Sequence, residues 1–279
     1  MTPDEYCQDK AAASGSSFYY SFRALKPDVR KGITAFYALC RELDDVVDEC
    51  SDPELARIKL AWWRSELARM HEGRPEHPVT QALLPTVRSR NIPREWLEEI
   101  VDGMEMDLDQ QRYDDYKSLL LYCHRAAGVV GQVAAEIFGY RNRQTLKYAH
   151  ELGLAFQLTN IIRDVGEDAR RGRIYLPLDE LEQFGVTPAE ILNRQHSERF
   201  EKLMQFQHER AVKAYQQALA WLPQEDRKAQ RAGLAMAAIY RALLEEIRHD
   251  GFHVLDGKIS LTPLRKLWLA WKAMILGSL

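Results

Sequence analysis

The sequence has no apolar run long enough to cross a bilayer, which takes about 18 residues or more. The nearest approach, residues 264–279, is interrupted by Lys266 and Lys272. Two interpretations of this stretch stay open: a terminal helix packed on the core, which we favour, and a helix lying on a membrane surface. The start, MTPDEYCQDK, also lacks the basic and apolar segments of a signal peptide. We expect a cytoplasmic protein, with peripheral contact at the inner face of the membrane as the second option.

The chain is also poor in cysteine and has no strong excess of one charge. Its four cysteines are scattered and form no CxxC pair, which is typical of reduced thiols rather than of a disulfide framework or a zinc site. Lys plus Arg number 38 and Asp plus Glu 41, for a formal net charge of −3. A nucleic-acid partner is therefore not expected, because such proteins usually carry a basic surface.

Helical periodicity, in contrast, runs through the sequence, and alternating strand patterns are hard to find. Breaks fall at residues 26–28, 71–78, 91–93, 139–143, 170–177, 222–223 and 250–251, most of them with Pro or Gly. Thr187 followed by Pro188 indicates a helix cap with proline at the first helical position. None of the breaks is long enough for a domain linker. We predict one all-α domain over residues 1–279, with roughly eight to ten helices.

Two aspartate clusters lie on predicted helices about a hundred residues apart. Four-residue steps place the side chains of each cluster on one stripe, where like charges repel by a few tenths of a kcal/mol per pair. Mg²⁺ would relieve this repulsion, since it prefers oxygen ligands and completes its shell with water and phosphate. A solvated acidic helix face is the alternative for either cluster alone. The predicted metal ligands are Asp44, Asp45 and Asp48 in the first cluster and Asn160, Asp164 and Asp168 in the second.

Basic side chains accompany both clusters. Arg41 and Arg163 are predicted to neutralise phosphate, to which a guanidinium is well matched. The loop 170–173, which contains Arg173, is either a basic loop that closes over a bound anion or a solvated loop. A third acidic stretch, residues 102–109, lacks the four-residue repeat and is interpreted as surface or structural charge. His124 has no partner at a metal-binding spacing and is interpreted as a hydrogen-bonded structural histidine.

Four blocks resemble the squalene and phytoene synthases, the head-to-head class of isoprenoid synthases. They are residues 16–19 (SSFY), 37–48 (YALCRELDDVVD), 122–131 (YCHRAAGVVG) and 157–177 (QLTNIIRDVGEDARRGRIYLP). The family's DxxxD motif maps onto Asp44 and Asp48, and its NxxxDxxxD motif maps onto Asn160, Asp164 and Asp168. The resemblance covers nearly the whole chain and implies the isoprenoid synthase fold, with antiparallel helices around a central cavity and both aspartate helices at its mouth.

The resemblance also implies roles for single residues. Asp44, Asp48, Asp164 and Asp168 would be catalytic through roughly two or three Mg²⁺ ions, and Tyr122 would lie by the reacting carbons. The small residues after Tyr122 would form the wall of a prenyl tunnel, although the residues alone equally indicate close helix packing. Some relatives carry His or Arg near Ser14 or Ser16, which puts diphosphate contacts from this loop in doubt. The implied substrate contacts are Ser17, Phe18, Tyr37, Arg41, Gln157, Asn160, Arg163, Arg173 and Tyr240.

Within the family, short segments of the sequence are most similar to those of bacterial presqualene diphosphate synthases of squalene and hopanoid biosynthesis. This implies a prenyltransferase that joins two molecules of farnesyl diphosphate, without NADPH, and passes its product to the next enzymes of a squalene pathway. Phytoene synthesis from geranylgeranyl diphosphate, and full squalene or dehydrosqualene synthesis, are alternatives of the same class. A catalytically silent helical scaffold or assembly factor is the alternative of a different class.

Overall fold

The structure is a computed structural model that describes residues 1–13, 21–22, 25–50 and 52–276. Within these ranges it contains thirteen α-helices and no β-strand, only an isolated bridge between Arg112 and Ile174. The helices are α1 (Pro3–Ala13), α2 (Pro27–Asp48), α3 (Pro53–His71), α4 (Pro78–Arg90), α5 (Arg94–Asp109), α6 (Tyr116–Cys123), α7 (Val129–Phe138), α8 (Gln144–Arg170), α9 (Leu178–Gln183), α10 (Pro188–Leu192), α11 (Glu198–Ala220), α12 (Arg231–His249) and α13 (Pro263–Leu276). The all-α prediction is confirmed.

The helix count of eight to ten was too low. The helices α9 and α10 have only six and five residues, too few to show a helical period in the sequence. The predicted breaks do separate helices, and several helices begin at proline, which suits the first helical turn. The predicted cap at Thr187 is confirmed: its side chain accepts from the Glu190 N–H, and the Glu190 carboxylate accepts from the Thr187 N–H in return.

The core consists of two clusters of buried apolar side chains. One joins α8, α11 and α12, and the other joins α2 to α5 with α7. The longest helix, α8, has 27 residues and packs against α7, α11 and α12. It therefore holds the second aspartate cluster on a rigid central element, while α2, with 22 residues, holds the first.

Glycine allows α8 to pack backbone against backbone on α7 and on the turn just before α7, residues 124–128. A Cβ atom on Gly131 would lie 2.1 Å from the Ala149 carbonyl oxygen, and one on Gly153 would lie 2.2 Å from that of Ala127. No side chain fits at either position unless a helix moves. Close packing thus accounts for these two glycines, one of the two interpretations left open by the sequence.

A π-helical turn, His124–Gly128, connects α6 to α7. The Val129 N–H donates to the His124 carbonyl oxygen, five residues earlier. Such turns contain one more residue than an α-helical turn and are frequent at functional sites. Here the turn follows Tyr122 and contains the first of the small residues, Ala126, Ala127 and Gly128.

Candidate active site

An apolar cavity of about 290 Å³ lies between α2, α7, α8 and α12. Side chains from both core clusters form its wall: Ile33, Phe36, Met104, Val130, Phe138, Leu152, Phe156 and Met236, with the small residues Ala126, Ala127, Gly131, Ala134 and Ala135. The predicted small-residue wall is thus also present. Arg41, Asp44, Gln157 and Asn160 line the polar end, so the structure brings side chains of both predicted clusters to one cavity.

The carboxylates of the first cluster are paired with cations. Arg41 contacts Asp44 at 2.5 Å and Asp45 at 2.6 Å. Asp45 also contacts Lys10 of α1 at 2.8 Å, so its carboxylate takes part in a structural ion pair. Asp44 is therefore the carboxylate of this cluster that reaches the cavity.

Asp48 connects the first cluster to the basic loop that follows the second. Arg171 contacts it at 2.6 Å and Arg173 at 3.0 Å. The loop therefore reaches across to α2, as a loop that closes over an anion would need to do. In this arrangement the anion bound by the two arginines is the carboxylate of Asp48.

The second cluster is also paired with cations, and one of them, Lys258, was not predicted from the sequence. Arg163 donates from Nε to Asp164 at 2.7 Å, and Lys258, which precedes α13, contacts Asp164 at 3.2 Å. Asn160 donates to the Gln157 side-chain oxygen at 3.4 Å. The Asn160 Oδ1 atom, however, is buried and has no hydrogen-bond partner among the described residues, so an oxygen ligand is available at the cavity.

Burial and mutual repulsion make two of these carboxyls weak acids. Burial, followed by the charge of Asp48, raises the pKa of Asp44 to about 6. Burial, followed by the charge of Asp164, raises the pKa of Asp168 to about 8. Both carboxyls consequently favour neutralisation by a proton or a cation.

These residues fit Mg²⁺ as ligands. No group of three or more His, Cys, Asp or Glu side chains forms a ready-made metal site within the part of the chain that the structure describes. Mg²⁺ does not require one, because it is usually held by one or two carboxylates and completes its shell with water and substrate phosphates. A bound cation would give the unpartnered Asn160 oxygen a ligand contact and would relieve the burial and repulsion that raise the pKa of Asp44 and of Asp168.

We expect Asp168→Asn to stabilise the metal-free protein at alkaline pH. The pKa of Asp168 lies at about 8 in the folded protein, above its ordinary value of 3.8. The folded state therefore binds the proton more tightly, and stability falls as pH rises through this interval. In urea unfolding with a chelator, Asp168→Asn should gain about 1–2 kcal/mol near pH 9 and almost nothing near pH 4. An equal gain at both pH values would contradict the prediction.

Tyr122 belongs to a buried tyrosine cluster around Asp107. Its hydroxyl donates to Asp107 Oδ2 at 3.1 Å, and that of Tyr175 donates to Oδ1 at 2.6 Å. The rings of Tyr122 and Tyr175 stack with centroids 5.1 Å apart. The charges of Arg173 and Asp48 also act on Asp107, so this cluster lies beside the aspartate helices. Burial raises the pKa of Asp107 to about 6.

For Asp107 the interpretation of residues 102–109 as surface or structural charge holds in its structural form, since Asp107 is 9% exposed and accepts hydrogen bonds from Tyr122 and Tyr175. Its spacing from Ile100 and Met104 puts it on the apolar stripe of α5, and that was the available signal. The interpretation holds for the other acidic residues. Asp102 and Glu105 pair with Arg64, and Asp109 pairs with Arg57.

We expect Tyr122→Phe to lower kcat by about 10²-fold with little change in KM, because the ring is kept and only the hydroxyl is lost. Tyr113→Phe is the matched control. The Tyr113 ring lies 5.7 Å from that of Tyr122, and its hydroxyl has no hydrogen-bond partner among the described residues. Steady-state kinetics of both variants would test this. Preserved kcat with weaker binding in Tyr122→Phe would assign Tyr122 to packing.

The remaining predicted residues are Tyr240, Tyr37, Ser17, Phe18 and His124. Tyr240 is buried, hydrogen-bonds with Arg163, and packs its ring 4.9 Å from that of Phe156 at the cavity. Tyr37 lines the cavity and meets Phe22 edge to face. Ser17 and Phe18 lie outside the described residues. His124 shares a hydrogen bond of 2.9 Å with His150, as expected for a structural histidine.

A family model described as squalene/phytoene synthase matches residues 11–265 of this chain. The chain belongs to the squalene/phytoene synthase family. Phytoene synthase of Arthrospira platensis is 34% identical, with 94% of this chain and 89% of that protein covered. Phytoene synthase of Mycobacterium bovis is 37% identical, with coverages of 92% and 86%.

Solved structures show the same fold. A dehydrosqualene synthase in complex with a ligand superposes with a TM-score of 0.88 at 27% identity, covering 98% of this chain and 96% of that one. Squalene synthase HpnC from Alicyclobacillus acidocaldarius gives a TM-score of 0.77 at 26% identity, with coverages of 90% and 94%. The helical isoprenoid synthase fold is confirmed, and the family is one of head-to-head prenyltransferases. No helix in the described ranges is long and apolar enough to cross a membrane.

Proposed function

We propose that this protein joins two molecules of farnesyl diphosphate head to head and releases presqualene diphosphate, in squalene and hopanoid biosynthesis. The observation that carries the proposal is one cavity with an apolar wall and a polar end lined from both aspartate helices. A prenyl chain suits the wall, and a diphosphate with its counter-ions suits the polar end. The similarity to dehydrosqualene and squalene synthase structures supports the farnesyl substrate.

Asp44 and Asp48 on α2, with Asn160, Asp164 and Asp168 on α8, would hold roughly two or three Mg²⁺ ions between them. When bound, Mg²⁺ would supply Lewis-acid assistance to the departure of a diphosphate. Arg41, Arg163 and Arg173 would then bind phosphate oxygens. Each of these arginines contacts an aspartate of the clusters, so substrate binding would exchange a carboxylate partner for a phosphate.

The reaction breaks the C–O bond of one substrate and releases inorganic diphosphate. The double bond of the second molecule attacks the resulting allylic cation, and loss of one proton closes the cyclopropane. The diphosphate of the second molecule stays on the product. The apolar wall excludes water, which would otherwise trap the cation. Tyr122, bonded to Asp107, is the proposed group for stabilising charge or assisting proton transfer near the reacting carbons.

The product decides between this proposal and its alternatives. We expect presqualene diphosphate as the end product of a long incubation with farnesyl diphosphate and Mg²⁺, even with NADPH present, because the sequence resembles dedicated presqualene diphosphate synthases. Squalene as the main product would refute the stop at presqualene diphosphate. Phytoene formed preferentially from geranylgeranyl diphosphate would overturn the substrate, and the phytoene synthase relatives make this the second candidate.

A binding measurement distinguishes the proposed enzyme from a scaffold without activity. An enzyme of this kind should gain thermal stability from farnesyl diphosphate only when Mg²⁺ is present. We assign the reaction to the cytoplasm, with the enzymes that convert presqualene diphosphate to squalene as downstream partners. Absence of both turnover and Mg²⁺-dependent stabilisation would favour the scaffold.

A further inference from the structure

A buried tyrosine hydroxyl lies at the end of the cavity opposite its polar end. Tyr148 lines the cavity and is 1% exposed, and its hydroxyl has no hydrogen-bond partner within the ranges that the structure describes. Burial holds the pKa of this hydroxyl well above its ordinary value, against a smaller opposing effect of the Arg227 charge, so the hydroxyl keeps its proton. Buried polar groups nearly always have a partner, because an unpaired one is costly. A group that enters the cavity can supply that partner.

The distance between Tyr148 and the polar end matches the length of a prenyl chain. Tyr148 and Asn160 both line the cavity from the same uninterrupted helix, α8, and stand twelve positions apart in the sequence. At about 1.5 Å per residue they are separated by roughly 18 Å along the helix axis. A farnesyl chain is roughly 15 Å long when extended, given carbon–carbon bonds of about 1.5 Å. A chain whose diphosphate lies at the polar end therefore ends near Tyr148.

The same hydroxyl lies beside the first turn of α12. A Cβ atom on Gly233, in this turn, would lie 3.1 Å from the Tyr148 hydroxyl oxygen. The first N–H groups of a helix have no partner within it and carry a partial positive charge. The residue before the helix, Gln230, makes no capping bond, because its side chain donates to the Gly139 carbonyl oxygen at 2.9 Å. Ala232 and Gly233 both line the cavity, so the positive end of α12 adjoins the same space.

The chemistry at this end of the cavity favours an oxygen acceptor. The Tyr148 hydroxyl and the first N–H groups of α12 are donors, and the positive charge of Arg227 acts on the same hydroxyl. The buried carboxylate just before α12, Asp226, is already bonded to the N–H groups of Arg141 and Asn142, at 2.7 and 3.0 Å. A hydroxyl or carbonyl oxygen on a ligand would accept from Tyr148, whereas a cationic group would meet donors and positive charge.

We propose that the Tyr148 hydroxyl and the start of α12 form a second polar subsite, which binds an oxygen atom at the far end of a prenyl chain. The ligand class is a prenyl diphosphate oxidised at its terminal isoprene unit, to an alcohol or a carbonyl. The inference rests on the proposed function for the diphosphate end of the ligand, which binds between the aspartate helices. A cavity with a wholly apolar end would reject such a chain, because burying an unpaired oxygen is unfavourable.

Two saturated ligands test the subsite separately from the rest of the cavity. Dodecyl diphosphate matches the main chain of farnesyl diphosphate, and ω-hydroxydodecyl diphosphate adds one oxygen at the far end. Neither chain is allylic, so neither ionises during the measurement. Titration calorimetry on the full chain with Mg²⁺ gives the dissociation constant of each ligand. We expect the wild type to bind the two within about twofold of each other, because the ligand hydroxyl exchanges a bond to water for one to Tyr148.

Tyr148→Phe removes the donor and keeps the ring. This variant should bind dodecyl diphosphate at least as well as the wild type, and ω-hydroxydodecyl diphosphate at least about tenfold more weakly, because the ligand oxygen is then buried without a partner. Tyr215→Phe is the matched control. Tyr215 is as deeply buried, but its hydroxyl shares a hydrogen bond of 2.9 Å with Thr159, and its ring packs edge to face on Phe156 at 6.0 Å. The control should keep the wild-type ratio of the two dissociation constants.

Thermal unfolding without ligand gives an independent measurement and shows that both variants fold. Tyr148→Phe should melt at the wild-type temperature or above it, because the hydroxyl that it removes is buried and has no partner among the described side chains and backbone groups. Tyr215→Phe should melt at a lower temperature, since it breaks the bond to Thr159. A lower melting temperature for Tyr148→Phe would mean that its hydroxyl is already bonded inside the protein, which would overturn the subsite.

The two ligands also distinguish failure of the subsite from failure of the proposed function. If the added hydroxyl weakens binding equally in the wild type and in Tyr148→Phe, the subsite is overturned and the proposed function stands. If the Tyr215→Phe control shows the same selective loss as Tyr148→Phe, the subsite is likewise overturned. A wild type that binds neither dodecyl diphosphate nor farnesyl diphosphate would contradict the proposed function and the subsite together.

Discussion

Replacing Asp44 by asparagine should lower kcat/KM by at least about 10³-fold while the protein stays folded. Asp44 is the carboxylate of α2 that lines the cavity, and burial with the nearby charge of Asp48 raises its pKa to about 6. Asparagine keeps the shape and one oxygen but removes the charge that Mg²⁺ needs. Since the lost charge is a repulsive one, unfolding of Asp44→Asn without metal should need as much urea as the wild type or more.

The matched control is Asp109→Asn on α5. Asp109 is exposed and pairs with Arg57 at 2.6 Å, in an ion pair on the outer surface. Its loss should leave activity unchanged, because exposed ion pairs contribute only about 0–1 kcal/mol. Asp164→Asn on α8 should match the loss seen in Asp44→Asn. Near-normal turnover of either active-site variant at saturating Mg²⁺ would show that the aspartate helices do not act through metal.

Gly153→Ala should destabilise the fold by a net of about 1–2 kcal/mol, even though alanine is the better helix former. The gain in helix propensity is about 1 kcal/mol. Against it stands a Cβ atom only 2.2 Å from the Ala127 carbonyl oxygen, a backbone atom that cannot rotate away. The π-helical turn His124–Gly128 and α8 would have to separate, and overpacking of this kind costs about 1–3 kcal/mol. We expect a melting temperature lower by roughly 2–5 °C.

Gly257→Ala serves as the comparison, since a Cβ atom there meets nothing within 4 Å. Its effect on urea or thermal unfolding should stay within about 0.5 kcal/mol. Gly153 also lines the cavity, so the separated helices of Gly153→Ala should bind prenyl substrate more weakly as well. Equal stability of the two variants would mean that the π-helical turn and α8 are not in backbone contact.

Local patterns predicted the helices and their breaks because helix starts and stops depend on neighbouring residues. The spacing in Asp44–Asp48 and in Asn160–Asp168 was likewise enough to put each cluster on one helical face. The short helices α9 and α10 were not predicted, because five or six residues are too few to show a helical period in the sequence.

Partners contributed by distant elements could not be predicted. Lys258 meets Asp164, and Arg171 and Arg173 meet Asp48 from more than a hundred residues away. Each of these is a surface-type residue in a loop, so nothing in its own neighbourhood distinguishes it. For Asp107 the acidic stretch left a surface and a structural role open, and its place on the apolar stripe of α5 was the signal for the interior.

The π-helical turn at His124–Gly128 determines how the residues before it and the residues after it are rotated relative to each other about the helix axis. Each residue of an α-helix turns the chain by about 100°, and a π-turn adds one residue. Before the turn, Tyr122 is aimed at Asp107; after it, Val130, Gly131 and Ala134 are aimed into the cavity. Deleting one residue here would restore a regular helix and rotate one set by about 100° against the other. In this segment, changes of length therefore reshape the site more than changes of residue type, since they re-aim every side chain on one side of the turn at once.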